Sequence, residues 1–324
     1  MLHRTVPVSA IVPTRDRAET MSKMLNSLAQ QSYQPIEMIV VDASSSTDTE
    51  QICRYGVPGL QTRIIYEKAT TAGAAAQRNQ AVKHCKEKTA LFLDDDIIFE
   101  PECIALLWKA LQSDTHLGGV NAMIVNQRYS PPGYISRALF RLLDGTTRES
   151  YAGRCIGPAC NLLPEDDPKL PSVVPVEWLN TTCTLYRHEA LPSPPFDSMF
   201  TGYSMLEDLT LSLRVGRKWR LANARTARIF HDSQPGEHKK RMDVLAKMEL
   251  VNRHYVMTRV MGRVRLTDYL KLMLLELFGV VTPLASLRNW QLLLPVLAGK
   301  IRAIGAICSS RDKYETVTSS MQSR

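Results

Sequence analysis

Between residues 8 and 112 short apolar runs alternate with stretches whose apolar positions recur every three or four residues. "VSAIVPTRDR" (8–17) reads as a strand entering a polar turn at Pro13. Met21, Met24, Leu25 and Leu28 then fall at helical spacing. "IEMIVVD" gives a second strand that ends at Asp42 in a Ser/Thr-rich loop, and "TRIIYEK" a third. Gly73 precedes "AAAQRNQAVKHCKE", whose good helix formers predict a helix. "LFL" (91–93) is a buried strand, three Asp follow it, and "ECIALLWKALQ" is again helical. Strand alternating with helix predicts an α/β fold with a mostly parallel sheet covered on both faces.

From about 126 to 176 the rhythm breaks into a Pro- and Gly-bearing insert or lid around the amphipathic "YISRALFRLLDG". "VEWLNTTCTLYRHEAL" restores a strand. "SMLEDLTLSLRVGRKW" reads as a helix with Leu206, Leu209 and Leu213 on one stripe and Gly216 as its C-terminal cap. Beyond "SQPGEHKK" the chain turns to long basic, apolar-rich helices. The expected divisions are 1–125, 126–238 and a helical extension over 239–324.

Charge sharpens that last boundary. The formal net charge is +8. Residues 1–213 carry 19 Lys+Arg and 24 Asp+Glu, whereas 214–324 carry 21 and 8, so the halves stand at −5 and +13. A solvated basic face is the plain reading and an anionic membrane surface the sharper one. The basic region lacks the aromatic interleaving of RNA-binding segments, so no nucleic-acid partner is expected. Seven scattered Cys without a CxxC pair point to reduced thiols and a cytoplasmic protein. The first residues show no signal-peptide pattern. "DYLKLMLLELFGVVTPLASL" (268–287) approaches spanning length, but Asp268, Lys271, Glu276 and Pro283 argue against a simple transmembrane helix.

The candidate chemistry centres on "LFLDDDIIFEP". Three carboxylates between apolar runs are costly unless something positive meets them. Strand alternation puts Asp94 and Asp96 on one face and turns Asp95 away. A D-x-D pair at a strand end can hold Mg²⁺ or Mn²⁺ and organise a diphosphate around it. Asp42, also at a strand end, could accept hydrogen bonds from a nucleoside, or simply form an Asx-turn. Arg78 could pair with the Asp cluster or with a diphosphate. Glu207 and Asp208 begin a helix, where the dipole favours an anion. His231, after "ARIF", is a core histidine or, near the Asp pair, a metal ligand.

Together "VSAIVPTRDR", "LAQQSYQPIEMIVVDASSSTDT", "GAAAQRNQAV", "LFLDDDIIFEP" and "EDLTLSLRVGRKW" resemble, in order and spacing, the family 2 glycosyltransferases of GT-A fold, over roughly residues 6–235. The resemblance implies a metal-dependent, inverting transfer of a sugar from a nucleotide-diphosphate donor to an acceptor hydroxyl. Pro13, Thr14 and Arg15 would line the nucleotide, and Asp42 would meet the base. Arg78, Asp94 and Asp95 would join the donor contacts, and Asp96 with His231 would hold Mn²⁺ or Mg²⁺. Asp208 would be the general base, with Glu207 and Trp178 on the acceptor side. Where the family usually carries an aspartate pair after the second strand, this chain reads "VDASSS". The implied acceptor is a saccharide or lipid-linked saccharide at the cytoplasmic face of the membrane, with a homo-oligomer left open. A metal-dependent nucleotidyltransferase would want a Gly-rich basic loop early in the chain, and a non-catalytic nucleotide-sugar binder would not need Asp208.

Overall fold

A computed structural model describes residues 4–234, 241–281 and 287–321. Two compact units divide the chain: Met1–Pro131, Glu149–Cys155 and Asn161–Gln234 form the first, and Pro132–Arg148, Ile156–Cys160 and Pro235–Arg324 the second.

In the first unit the elements run β1 (Arg4–Thr14), α1 (Ala18–Ala29), β2 (Tyr33–Asp42), α2 (Asp48–Tyr55), β3 (Arg63–Lys68), α3 (Ala74–Val82), β4 (Thr89–Leu93), β5 (Ile97–Phe99), α4 (Cys103–Gln112) and β6 (Leu117–Ile124). The second unit takes α5 (Tyr134–Asp144). Two very short strands follow, β7 (Cys155–Ile156) and β8 (Cys160–Asn161), and then β9 (Val173–Val176), β10 (Cys183–Arg187), α6 (Glu207–Val215) and β11 (Arg220–His231). α7 (Met242–Tyr255), α8 (Leu266–Val281) and α9 (Leu293–Met321) belong to the second unit.

The main sheet has the order β3-β2-β1-β4-β10-β6-β11-β5, with β9 also paired to β11. From β3 to β4 every pairing is parallel, because α1, α2 and α3 carry the chain back between strands. The antiparallel partners enter later, where β10 slots between β4 and β6 and β5 and β9 flank β11. The result is the α/β sheet expected from the alternating pattern.

Strand alternation builds the core. Val8, Ala10 and Val12 of β1, Met38 and Val40 of β2, and Leu91 and Leu93 of β4 join one buried cluster with Met21, Met24, Leu25 and Leu28 of α1. The four α1 residues are those the helical spacing singled out. On the opposite face Phe92 packs edge-on against Tyr186 at 5.9 Å and Phe196 at 5.5 Å between centroids. β4 is buried along its whole length, so its end can project only the residues that follow it. In α6 the buried positions include Leu209, Leu211 and Val215, a different stripe from the expected one, because Leu206 precedes the helix as its N-cap. Gly216 does cap α6, in a right-handed conformation.

Candidate active site

Thr14, Asp42 and Leu93 are the last residues of β1, β2 and β4, so the segments after them meet at the carboxyl edge of the parallel half-sheet. Three neutral residues fix the frame of this edge, and none carries a pattern that sequence reasoning would pick out. Gln77 of α3 is buried, and its Nε2 donates to the carbonyls of Thr14 (2.9 Å) and Val41 (2.7 Å). Asn126 donates to the His231 carbonyl (2.9 Å) and accepts from its backbone N–H (3.0 Å). Gln127 Nε2 lies 3.0 Å from His231 Nδ1.

The three Asp occupy a turn between β4 and β5, one step beyond the strand, and still part to two sides. Asp95 turns inward, where it accepts from the Thr14 hydroxyl (2.7 Å) and from Arg17 Nη1 (3.0 Å). Asp94, Asp96 and His231 turn together and offer ligand atoms all within 4.8 Å of one another. Antiparallel pairing of β11 with β5 puts His231 opposite Ile97, which brings its Nε2 to 3.0 Å from Asp96 Oδ1.

Arg78 joins this cluster to the second acidic pair. Its Nη2 donates to Asp94 Oδ1 (2.6 Å) and its Nη1 to Glu207 Oε1 (3.3 Å), while the guanidinium lies 5.8 Å from the Phe196 ring centroid. Arg78 thus pairs with the Asp cluster. Glu207 and Asp208 open α6 as expected. Asp208 Oδ1 accepts from the N–H of Leu209 (2.7 Å). The approach to this pair is unusual: Gly202, Ser204 and Leu206 all have left-handed backbone, with φ of 63°, 53° and 69°. A Cβ on Gly73, itself at φ 136°, would press to 3.1 Å from the backbone nitrogen of Gly202, which bridges to it.

Other expected contacts are placed differently. Arg15 is exposed, with a 67% accessible side chain, and its ion-pair partner is Asp16 at 3.4 Å. Arg17 is the residue of "PTRDR" that reaches the cluster, bridging Asp95 and Asp96 (3.2 Å), because Asp16 takes a left-handed φ of 52° and redirects the chain. Asp42 is fully buried, and its carboxylate accepts from the backbone N–H and hydroxyl of Ser44 and from the Tyr66 hydroxyl (2.9 Å). The Asx-turn alternative accounts for that geometry. Asp95 engages Thr14 and Arg17 through its two oxygens. Trp178 is buried, its indole N–H given to the Leu162 carbonyl (2.6 Å). Pro13 is buried within β1.

The electrostatics separate these carboxyls. Burial pushes Asp95 up to about 6, against the opposing pull of Thr14 and Arg17. Burial also raises Asp96, but the His231 hydrogen bond and charge, with Arg17, outweigh it and leave Asp96 below the ordinary range. Burial and the neighbouring Asp208 drive Glu207 up to about 8. Burial lifts Asp208 to about 6, with the Leu209 N–H and Arg78 restraining it. Both carboxyls of the pair are thus raised by burial, Glu207 further than Asp208.

Asp94, Asp96 and His231 form an O, O, N donor set that fits a divalent cation of the Mn²⁺ or Mg²⁺ kind. Gln127 on Nδ1 orients the imidazole with Nε2 toward Asp96, as an outer partner of a metal-binding His does.

Comparison with known proteins agrees with this architecture. Residues 9–152 match the family described as "Glycosyl transferase family 2". A PGL/p-HBAD biosynthesis glycosyltransferase of Mycobacterium bovis is 28% identical over 138 residues, which are 41% of this chain and 54% of the relative. An uncharacterized glycosyltransferase of Haemophilus influenzae is 36% identical over 110 residues, 34% of this chain and 36% of that one. The chain thus spans about half the length of these relatives or less. Among solved structures, a mannosyltransferase from Pyrobaculum calidifontis in complex with GDP-Man and Mn²⁺ superposes with a TM-score of 0.53 at 16% identity, over 97% of this chain and 83% of that one. The fold is therefore the α/β GT-A fold with added C-terminal helices. The matched segment, residues 9–152, is similar to glycosyl transferase family 2.

Proposed function

We propose that this protein transfers a glycosyl group from a nucleotide-diphosphate sugar to an acceptor hydroxyl, with inversion at the anomeric carbon. The observation that carries the reading is Arg78, which ties the Asp94–Asp96–His231 cluster to the Glu207–Asp208 pair in one site. One half suits the phosphate end of a donor and the other a nucleophile that must lose a proton. Solved relatives of this fold were crystallised with GDP-Man and Mn²⁺ or with UDP, GalNAc and Mn²⁺, which supports a donor of this class.

Asp208, ionised above about pH 6, accepts the acceptor's hydroxyl proton as that oxygen bonds to the anomeric carbon. The bond from that carbon to the diphosphate oxygen breaks on the opposite side, and the electron pair leaves with the nucleotide diphosphate. Glu207, whose carboxyl burial and Asp208 raise, can donate a hydrogen bond to an acceptor when protonated while Arg78 keeps it in place. Asp94, Asp96 and His231 would hold the divalent ion, which supplies positive charge against that developing on the leaving diphosphate. Arg17 keeps Asp96 and Asp95 compensated and oriented.

The acceptor we favour is a saccharide or lipid-linked saccharide used in cell-surface polysaccharide synthesis, met at the cytoplasmic face of the membrane. The test is a screen of nucleotide sugars by thermal shift with and without Mn²⁺, followed by donor turnover. A nucleotide sugar that raises the melting temperature only with Mn²⁺, and is consumed by the native chain but not by Asp208→Asn, supports the assignment. Binding with equal consumption by both proteins would overturn the role of Asp208, and no Mn²⁺-dependent binding would overturn the donor class.

A further inference from the structure

Two helices of the second unit are apolar on both sides. α8 buries Leu272 and Leu275, yet Leu266, Leu270, Met273, Leu277 and Val281 are 52% to 76% exposed along four turns. α9 turns Gly299 and Ala303 inward; Ala303 is fully buried, and a Cβ at Gly299 would collide with the Asp243 carbonyl oxygen of α7. Its outward stripe is Leu294, Leu297, Ile301 and Ile304. The packing partner of each helix is thus already satisfied on one face, and the second apolar face is spare. α5 repeats the theme, burying Leu139, Phe140 and Leu143 while Tyr134, Ile135 and Leu142 face outward among Arg137 and Arg141.

Among the described side chains of this unit, the carboxylates are engaged and the unused charge is mainly positive. Asp144 is held by Arg148 and Thr146, Asp243 by Arg241 and Arg302, and Asp268 caps the Arg265 N–H. Glu249 and Glu276 are both taken by Arg253 and Lys300. Arg141, Lys247 and Arg265 are exposed and have no side-chain partner among the described residues.

We propose that this unit docks on an anionic lipid surface, with the spare faces of α8 and α9 at the acyl boundary and the free cations among the headgroups. Apolar stripes beside unpaired cations fit that surface in both of its chemistries, which a neutral apolar partner would not. The unit lies on the bilayer and does not cross it. Trp290–Ser309 is long and apolar enough to span, at a mean hydropathy of 1.6. However, Lys300 and Arg302 at its middle are bonded to Glu249, Glu276 and Asp243 of the neighbouring helices, which would have to enter the bilayer with it. Of the segment expected to approach spanning length, 268–287, residues 268–281 are helical, and Pro283 lies outside the described residues, as does the run from Glu237 to Lys240.

The experiment is flotation of the full chain with phosphatidylcholine vesicles, with and without phosphatidylglycerol. It reads no turnover, so this proposal and the assigned reaction fail separately. The expected result is flotation with the anionic vesicles, weakened by salt as the charge component is screened. The triple variant Leu270→Glu, Met273→Glu, Ile301→Glu should lose flotation with an unchanged melting curve, since all three side chains are exposed. Arg265→Glu should lower the bound-to-free ratio at least about fivefold, the weight of one cation at such a surface. No flotation by the full chain, or equal flotation by the triple variant, would overturn the proposal. A dimer in light scattering that the triple variant dissolves, without flotation, would overturn it too and assign the face to a second copy.

Discussion

Two partly buried charge clusters in this molecule are built to opposite rules. In the second unit, Arg253 and Lys300 each contact both Glu249 and Glu276, two cations against two carboxylates, and the ring is neutral in itself. At the sheet edge, Asp94, Asp95, Asp96, Glu207 and Asp208 face, among the described residues, the cations Arg17 and Arg78, with His231 as a weak third. A closed ring ties α7, α8 and α9 together and asks for nothing more. The open cluster holds surplus negative charge in a place where carboxylates are costly, so it is stable at full ionisation only when a cation arrives. Imbalance, more than burial, separates a site from a strut.

The largest break in that comparison should come from Asp208→Asn. Turnover is expected to fall by at least roughly 10²-fold, the usual weight of a general base, with donor affinity measured by calorimetry nearly intact. A collapse in donor affinity would make Asp208 a binding group. Asp96→Asn should weaken Mn²⁺-dependent nucleotide binding by roughly 10- to 100-fold or more, since even outer partners of metal ligands cost that much. Mn²⁺ titration followed by paramagnetic relaxation gives the affinity without turnover. Full activity in EDTA would remove the metal from the mechanism.

The pH profile sharpens the division of labour inside the acidic pair. A base must be deprotonated, and the Asp208 carboxyl sits at about 6, so activity should be level above that and fall by about tenfold per pH unit below it. An acid limb near 8 would assign the base to Glu207 instead. The smallest effect on catalysis belongs to the closed ring. Glu276→Gln leaves Arg253 and Lys300 half compensated and should cost up to about 3 kcal/mol of stability in denaturant unfolding, while kcat per folded molecule stays the same. Loss of kcat with unchanged stability would show that the ring is not merely structural.

Much of the open cluster was legible because its residues follow strands or start helices at positions the apolar pattern fixes. Asp94, Asp96 and Arg78 are placed by β4 and by Gly73 before α3, and Asp208 by the first turn of α6. The residues that escaped notice are those without a local signature. Arg17 looks like its neighbour Arg15 until the left-handed Asp16 redirects the chain, and Gln77, Asn126 and Gln127 are neutral amides whose partners lie 36 to 105 positions away. The partners of Asp42 and Trp178 escaped notice for a related reason, since the sequence shows a polar group at an edge but not the Tyr66 hydroxyl or Leu162 carbonyl that engages it. The insert at 126–176 hid its division as well, because the stretch containing α5 goes to the second unit while the flanking segments stay with the sheet.

The amide of Gln77 has one more effect. A single nitrogen donating to both Thr14 and Val41 acts as a cross-tie between the ends of two adjacent strands, and its oxygen, 3.1 Å from the Gly73 N–H, pins the start of a helix to the same point. These three backbones shift together or not at all. The edge therefore behaves like a caliper locked at one opening. A molecule of the right width enters without spending free energy on tightening it, and a wider one must break two buried hydrogen bonds to get in.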